Sequence, residues 1–268
     1  MGTRLSHAPV FLVLCQVRHS PVLKLDALIP DFQERMRKKG FPGYRANRQI
    51  GFEVTADASK PEETKVTTNE VIHHTLTSAD ESATFVLTSE SFAFQTFDYG
   101  TFEHFSNVFA RGLTEFQAVV GPELVSSMGV RFLDLVAPPP DELITAFLRP
   151  AYLGLYEILG EGWVGNYQFV ESSLMRDGQS VKSRVLVRNS SVQLPPDLAG
   201  TIKALPPRVA AVNSTHAILD TDATYAPAPG TTMAFELEAI IGRMAALKAD
   251  ASDVFKATVT PEALKAWE

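Results

Sequence analysis

A stripe of bulky apolar residues in the middle of the chain constrains the fold most. Its members are spaced three or four residues apart: Phe102, Phe105, Phe109, Leu113, Phe116 and Val120. That spacing is typical of one face of an α-helix. Thr101 precedes the stripe as a candidate N-cap, and Gly121-Pro122 ends it. Because so apolar a face cannot be left in water, the stripe predicts a helix over 102–120 that covers a β-sheet.

Alternating or continuous apolar segments on both sides of this helix predict strands. The predicted strands are 10–18, 44–54, 65–77, 83–88, 91–97, 128–136, 164–174, 182–189 and 216–225. Further helices are predicted at 25–39, 141–148 and 231–248, and polar or Pro-rich loops at 55–64 and 194–207. Strands that come in adjacent hairpins predict an α+β protein. Its antiparallel sheets, built as meanders and hairpins, would be covered by two long amphipathic helices, 102–120 and 231–248.

Ala137-Pro-Pro-Pro140 is the clearest candidate boundary between domains. The chain is predicted to be a single α+β unit, 1–268, and a division into two lobes, 1–137 and 141–268, stays open.

Composition excludes several classes of protein. Hydrophobic residues make up 45% of the 268 residues, which is typical of a globular chain. The single Cys15 excludes a disulfide framework and a zinc or iron–sulfur site built on cysteines. The apolar run 9–15 is too short to cross a bilayer and does not resemble a signal peptide, so we expect a soluble, cytoplasmic protein with no membrane contact.

Acidic residues outnumber basic ones, which disfavours non-specific nucleic-acid binding. The net charge is −7, although residues 1–50 hold nine Lys and Arg against three Asp and Glu. The basic side chains Arg35, Arg37, Lys38, Lys39, Arg45 and Arg48 form a candidate patch for nucleic acid or an acidic partner. The simpler interpretation is a solvated helix end, where cations interact favourably with the helix dipole.

A second candidate cluster combines arginines and aspartates from several strands. Asp220 and Asp222 lie two apart on a predicted strand and therefore share a face, as a cation site or an acid–base pair would require. Cross-strand pairing with Lys182, Arg184 and Arg188 is the alternative interpretation.

Two further arginines lie in or at the end of apolar strands. Arg18 and Arg131 could bind an anion or a nucleotide in a groove, or form salt bridges with Asp134, Asp220 or Asp222.

Motifs for known chemistry are missing from the sequence. It has no Walker loop, no Gly-x-Gly-x-x-Gly, no Gly-x-Ser-x-Gly and no His-Glu-x-x-His. His73 and His74 are adjacent on a predicted strand and point to opposite faces, so they cannot share a metal. We therefore predict no catalytic residues, no metal and no cofactor.

Several segments, in order along almost the whole chain, resemble a family of conserved hypothetical bacterial and archaeal proteins of about 250 residues, sporadically distributed and functionally uncharacterised. The matching segments are Val17-Arg18, 76–78, 85–92, Tyr99, 102–105, 129–132, 218–222, Phe255 and Val259-Thr260. The sequence departs from the family at Phe132-Leu133-Asp134, where an aromatic–Asn pair is usual. The resemblance implies no role for individual residues, but sporadic distribution is typical of mobile or defence-linked genes.

Three functions are compatible with these patterns. The first is a non-catalytic binding or regulatory protein that engages a protein partner, in a bacterial defence or toxin–antitoxin setting, with a homo-oligomer also possible. The second is an enzyme that acts on a phosphorylated or nucleotide substrate in a groove lined by the arginines and aspartates. The third is a nucleic-acid-binding module that uses residues 35–48.

Overall fold

The computed structural model describes residues 7–57, 60–158, 163, 165–199, 202 and 204–268. The strands are β1 (Val10–His19), β2 (Gly43–Asp57), β3 (Lys60–Thr77), β4 (Ala83–Thr88), β5 (Ser91–Thr96), β6 (Leu124–Val136), β7 (Tyr167–Arg176), β8 (Gln179–Ser191), β9 (Asn213–Tyr225) and β10 (Met233–Ala234). The helices are α1 (Leu25–Arg37), α2 (Phe102–Val119), α3 (Pro196–Ala199), α4 (Pro207–Ala210), α5 (Leu237–Thr258) and α6 (Pro261–Ala266). None of these helices is both long and apolar enough to span a membrane.

All the described strands belong to one sheet. Its order is β2-β3-β4-β5-β1-β6-β9-β8-β7, with β10 paired to β6, and the described pairs are antiparallel. The predicted α+β class with antiparallel strands is therefore confirmed, and the structure has one large sheet where several sheets are predicted. Strands from before and after Pro138-Pro-Pro140 pair directly, because β6 lies between β1 and β9. The division into two lobes stays a prediction.

The main core lies between one face of the sheet and side chains from α1, α2 and α5. Alternation along β1 turns Val13, Cys15 and Val17 toward this core, and the phenylalanines of β4, β5 and α2 join them. Phe92 stacks on Phe116 with the ring centroids 4.6 Å apart. Thr101 caps α2 by accepting a hydrogen bond from the His104 backbone N–H at 3.1 Å, as the sequence predicts.

A smaller core lies on the opposite face of the sheet. Val192, Leu198 and Val209, from the segment that follows β8, are buried there against Phe11 and Ile218. Residues 194–207 of this segment are predicted as a Pro-rich loop, but the structure places the single turn α3 within them and begins the single turn α4 at Pro207. Residues 200, 201 and 203 of the predicted loop lie outside the described residues.

Three of the predicted segments differ most from the structure. Strands β2 and β3 extend through most of the predicted polar loop at 55–64, of which residues 58 and 59 are not described. Helix α5 begins at Leu237 and not at residue 231, because β10 pairs there with β6, and it continues to Thr258. The helix predicted at 141–148 is only a 3-10 turn, Ile144–Ala146.

Gly112 allows α2 to approach the sheet closely. A Cβ atom at this position would overlap the buried ring of Phe85 on β4. We expect Gly112→Ala to lower the free energy of unfolding by about 1–3 kcal/mol, because the core must shift to admit the methyl group. Urea unfolding, with the slope of the transition compared between variants, measures this loss.

Gly242 in α5 is the matched control. It is exposed, and a Cβ there would meet no heavy atom within 4 Å. Since Ala is the better helix former, Gly242→Ala should raise the free energy of unfolding by about 0.5–1 kcal/mol. A stabilising Gly112→Ala would contradict the close packing of α2 on β4.

Candidate functional site

Arg131 lies at the centre of a buried ion-pair network. It neighbours Val130 on β6, whose side chain enters the main core, so Arg131 projects from the opposite face. Its Nε and Nη2 donate to the two carboxylate oxygens of Asp220 on β9 at 2.6 and 2.7 Å. Its Nη1 donates to Asp197 at the start of α3. Arg131 and Asp220 are only 6% and 3% exposed, so their charges neutralise one another away from bulk water.

The network continues to the edge of the sheet through Arg184. This side chain on β8 donates to Asp220 at 2.9 Å and to Glu171 on β7 at 2.7 Å. Burial alone would lower the pKa of Arg131, but its hydrogen bonds with Asp220 and Asp197 outweigh burial and raise it. The hydrogen bond from Arg131 lowers the pKa of Asp197. The Arg131 guanidinium and the Asp197 carboxylate are thus held charged, and Arg131 is already paired with Asp220.

The remaining members of the predicted polar cluster lie outside this network. Arg18 is exposed near the end of β1, opposite Ser91 and Ser127. Arg188 donates to Gln193 and lies over the ring of Tyr167, 5.2 Å from its centroid. Asp222 faces Arg131 and Lys182 across the strands, and burial raises its pKa. The structure thus joins Arg131, Arg184 and Asp220 of the six residues predicted to form the cluster, which are Arg18, Arg131, Arg184, Arg188, Asp220 and Asp222.

Most of the predicted basic patch is paired with glutamates. Glu34 binds Arg37 and Lys38 at 2.8 and 3.0 Å, and Glu115 of α2 binds Arg35 and Lys39 at 3.1 and 3.2 Å. Arg48 pairs with Glu70 across the β2–β3 hairpin. Arg45 is exposed on β2 and points to the other face from Arg48. The patch is therefore largely neutralised within the protein.

His74 and Cys15 are buried, and their surroundings explain both residues as parts of the fold. His74 is buried and hydrogen-bonds with Asp26 at 2.8 Å and Tyr44 at 3.0 Å. Burial raises the pKa of the Cys15 thiol, so the thiol stays protonated and unreactive. Within the described part of the chain, no group of three or more His, Cys, Asp and Glu side chains could hold a metal ion.

Strand β7 forms one edge of the sheet and carries exposed apolar side chains. Tyr167, Phe169 and Met175 project from one of its faces and are 58%, 47% and 83% exposed. Trp163, just before the strand, is 71% exposed. The ten residues of β7 contain no Lys and no Pro, and their pairing with β8 has no bulge. Three of the usual devices that protect an edge strand, namely Lys, Pro and a bulge, are thus missing from β7.

A cavity of about 550 Å³ opens between the sheet and the N-terminal end of α2, with α5 along its side. Asp134 of β6 lines it and is 6% exposed. Among the described residues, no hydrogen bond or ion pair to this carboxylate is found, and burial is the only influence on its pKa. Burial raises the pKa of Asp134 to about 7. Burial raises the pKa of the nearby Tyr99, and the negative charge of Asp134 raises it further.

The prediction that Asp134 could pair with Arg131 is wrong, because Arg131 pairs with Asp220 and Asp197. Asp134 and Arg131 are three apart on a regular strand, so their side chains point to opposite faces, and Asp134 faces α5. An aspartate inside an apolar strand was the available signal.

Comparison with known proteins shows no relative, because no family model, curated protein or solved structure matches this chain.

Proposed function

We propose that this chain is a cytoplasmic, non-catalytic binding or regulatory protein that engages a protein partner through strand β7. Membership of the family that it resembles, and a defence or toxin–antitoxin setting, belong to the same proposal. The two long helices α2 and α5 cover one face of the sheet as a scaffold. The observation that carries the proposal is the unprotected β7 edge with its exposed aromatic side chains.

The geometry of β7 suits the addition of a partner strand. The Asn189 N–H donates to the Asn166 carbonyl at 3.3 Å, and the register then turns the backbone groups of even-numbered residues toward β8. The N–H and C=O groups of odd-numbered residues, including Phe169 and Ser173, point outward. An extended peptide could pair with them, while Tyr167 and Phe169 contact its side chains. Exposed aromatic residues are also typical of interface anchors.

The charges on β7 do not oppose such a partner. Glu171 is paired with Arg184, and Arg176 with Asp250 of α5. At the other edge of the sheet, β2 carries the exposed cation Arg45, which resists strand addition. We therefore assign β7 to an extended, largely apolar segment of a different protein.

The two alternative functions would require ion pairs within the protein to be broken. An enzyme that held phosphate with Arg131 would have to displace Asp220 and Asp197. A nucleic-acid-binding module at residues 35–48 would have to displace Glu34 and Glu115. The partner-binding proposal needs neither change.

The test uses Ser173→Pro, with Ser173→Ala as its control. Proline at an outward-facing position removes one N–H from the free edge and leaves the β8 ladder intact. The protein encoded by the neighbouring gene is purified with the wild-type chain, and affinities are measured by calorimetry. We expect Ser173→Pro to weaken binding at least about tenfold, since strand addition depends on main-chain hydrogen bonds, and Ser173→Ala to leave it unchanged.

Three results would contradict the proposal. The neighbouring protein does not bind, or it binds Ser173→Pro as tightly as the wild type. Alternatively, light scattering shows the wild-type chain alone to be a dimer and Ser173→Pro to be a monomer, which would make a second copy the occupant of β7.

A further inference from the structure

Asp134 is a buried carboxylate whose partner is missing from the described residues. A carboxylate removed from water ordinarily needs hydrogen bonds or a counter-ion. Arg131 and Asp220, on the other face of the same strands, satisfy this rule with a bidentate pair. Asp134 does not, and it lines a cavity large enough for a small molecule. A group with N–H donors, and above all a protonated amine, would supply what the carboxylate lacks.

The walls around Asp134 are largely aromatic. Tyr99, Phe102, Phe132 and Phe255 line the cavity and are half-buried. The rings of Tyr99 and Phe132 meet edge to face, with centroids 5.9 Å apart. Such walls suit a flat apolar body, and the ring faces attract a cation.

Charged groups surround the cavity on other elements. Helix α5 contributes Lys248 and Lys256, and Glu268 lies at the C-terminal end. The Lys248 ammonium lies 5.9 Å from the centroid of the Phe102 ring, and neither lysine forms an ion pair with Asp134. Loop residue Tyr99 is the other titratable group, and strand β9 contributes the uncharged Thr221. Lys248 and Lys256 outnumber Glu268 at this end of the cavity, which favours an acidic group on the outer end of a ligand.

We propose that this cavity binds a small zwitterionic molecule: a protonated amino group against Asp134, a flat apolar body between the aromatic rings, and an acidic group toward Lys248 and Lys256. Aromatic or extended amino acids and their analogues belong to this class. The site is separate from the β7 edge and does not depend on the proposed partner.

Three related compounds test the site: 4-(aminomethyl)benzoate has both charges, benzylamine has only the amine, and benzoate has only the acid. Binding is measured by calorimetry, with ligand-observed NMR for weak affinities at millimolar concentrations. We expect 4-(aminomethyl)benzoate to bind most tightly, benzylamine next and benzoate least. Asp134→Asn should weaken the binding of both amines at least about tenfold, because the substitution removes their counter-ion.

Two variants serve as controls. Asp222→Asn removes a carboxylate from the opposite face of the sheet and should leave binding unchanged. Lys248→Met should weaken the binding of 4-(aminomethyl)benzoate and leave the binding of benzylamine unchanged. Because the pKa of Asp134 is about 7, benzylamine, which stays protonated, should bind about tenfold more tightly at pH 8 than at pH 6.

The proposal is overturned if neither amine shows saturable binding. It is also overturned if Asp134→Asn binds the amines as tightly as the wild type, or if benzoate binds as well as benzylamine. Each of these results would show that Asp134 does not act as a counter-ion for a ligand.

Discussion

Replacing Asp220 with Asn is expected to lower the free energy of unfolding by about 3–5 kcal/mol, because it leaves the buried Arg131 guanidinium without its main counter-ion. Two of the guanidinium nitrogens donate to Asp220, at 2.6 and 2.7 Å. The amide of Asn can accept only at its oxygen and places a second donor against the guanidinium. The remaining partner, Asp197, has a side chain that is 62% exposed and replaces little of the lost interaction. Urea unfolding followed by tryptophan fluorescence and circular dichroism measures the change.

Asp222→Asn provides the matched control, two residues away on the same face of β9. Burial raises the pKa of Asp222, so its charged form destabilises the folded state at neutral pH. Its Asn variant should therefore be as stable as the wild type or slightly more stable. If Asp220→Asn instead cost less than about 1 kcal/mol, the pair would behave like a surface salt bridge. Arg131 would then be available for a ligand, as the enzyme hypothesis requires.

Local patterns in the sequence predicted the elements better than their arrangement. The spacing of phenylalanines predicted a helix over 102–120, and α2 is Phe102–Val119. The two-residue turn Ser89-Glu90 correctly separated β4 from β5. Neither pattern says that β1 lies between β5 and β6, because that pairing joins residues distant in the chain. The late start of α5 has the same cause, since β10 is held by its pairing with β6.

The candidate sites divide in the same way. The shared face of Asp220 and Asp222 follows from the two-residue period of a strand, and cross-strand pairing with Arg184 was one of the alternatives that the sequence offered. The register places Asp222 directly opposite Arg131, but the guanidinium reaches diagonally to Asp220, and no local pattern in the sequence encodes this choice. The environment of Asp134 could not be predicted from local sequence, because one wall of its cavity is formed by α5, which lies more than 100 residues later in the chain.

Asp134→Asn is expected to stabilise the protein at pH 8 and to leave its stability almost unchanged at pH 4. The pKa of Asp134 is about 7 in the folded protein, and an aspartate in an unfolded chain has a pKa of about 3.9. Between these values the folded state keeps a proton that the unfolded state has lost, so stability falls as the pH rises through this range. Above pH 7 the full difference of about three pKa units corresponds to about 4 kcal/mol. The neutral Asn side chain avoids this loss.

Urea unfolding of both proteins at the two pH values gives the difference in stability at each. The comparison between pH values cancels whatever the amide gains or loses by its own packing, because that contribution does not titrate. An equal difference at pH 4 and pH 8 would contradict a raised pKa and would mean that water reaches the carboxylate freely. A larger difference between Asp134→Asn and the wild type at pH 8 would show that the charged carboxylate beside the cavity destabilises the folded protein. Side chains at binding and catalytic sites often destabilise the fold in this way, so this result would support a ligand as the partner that Asp134 lacks.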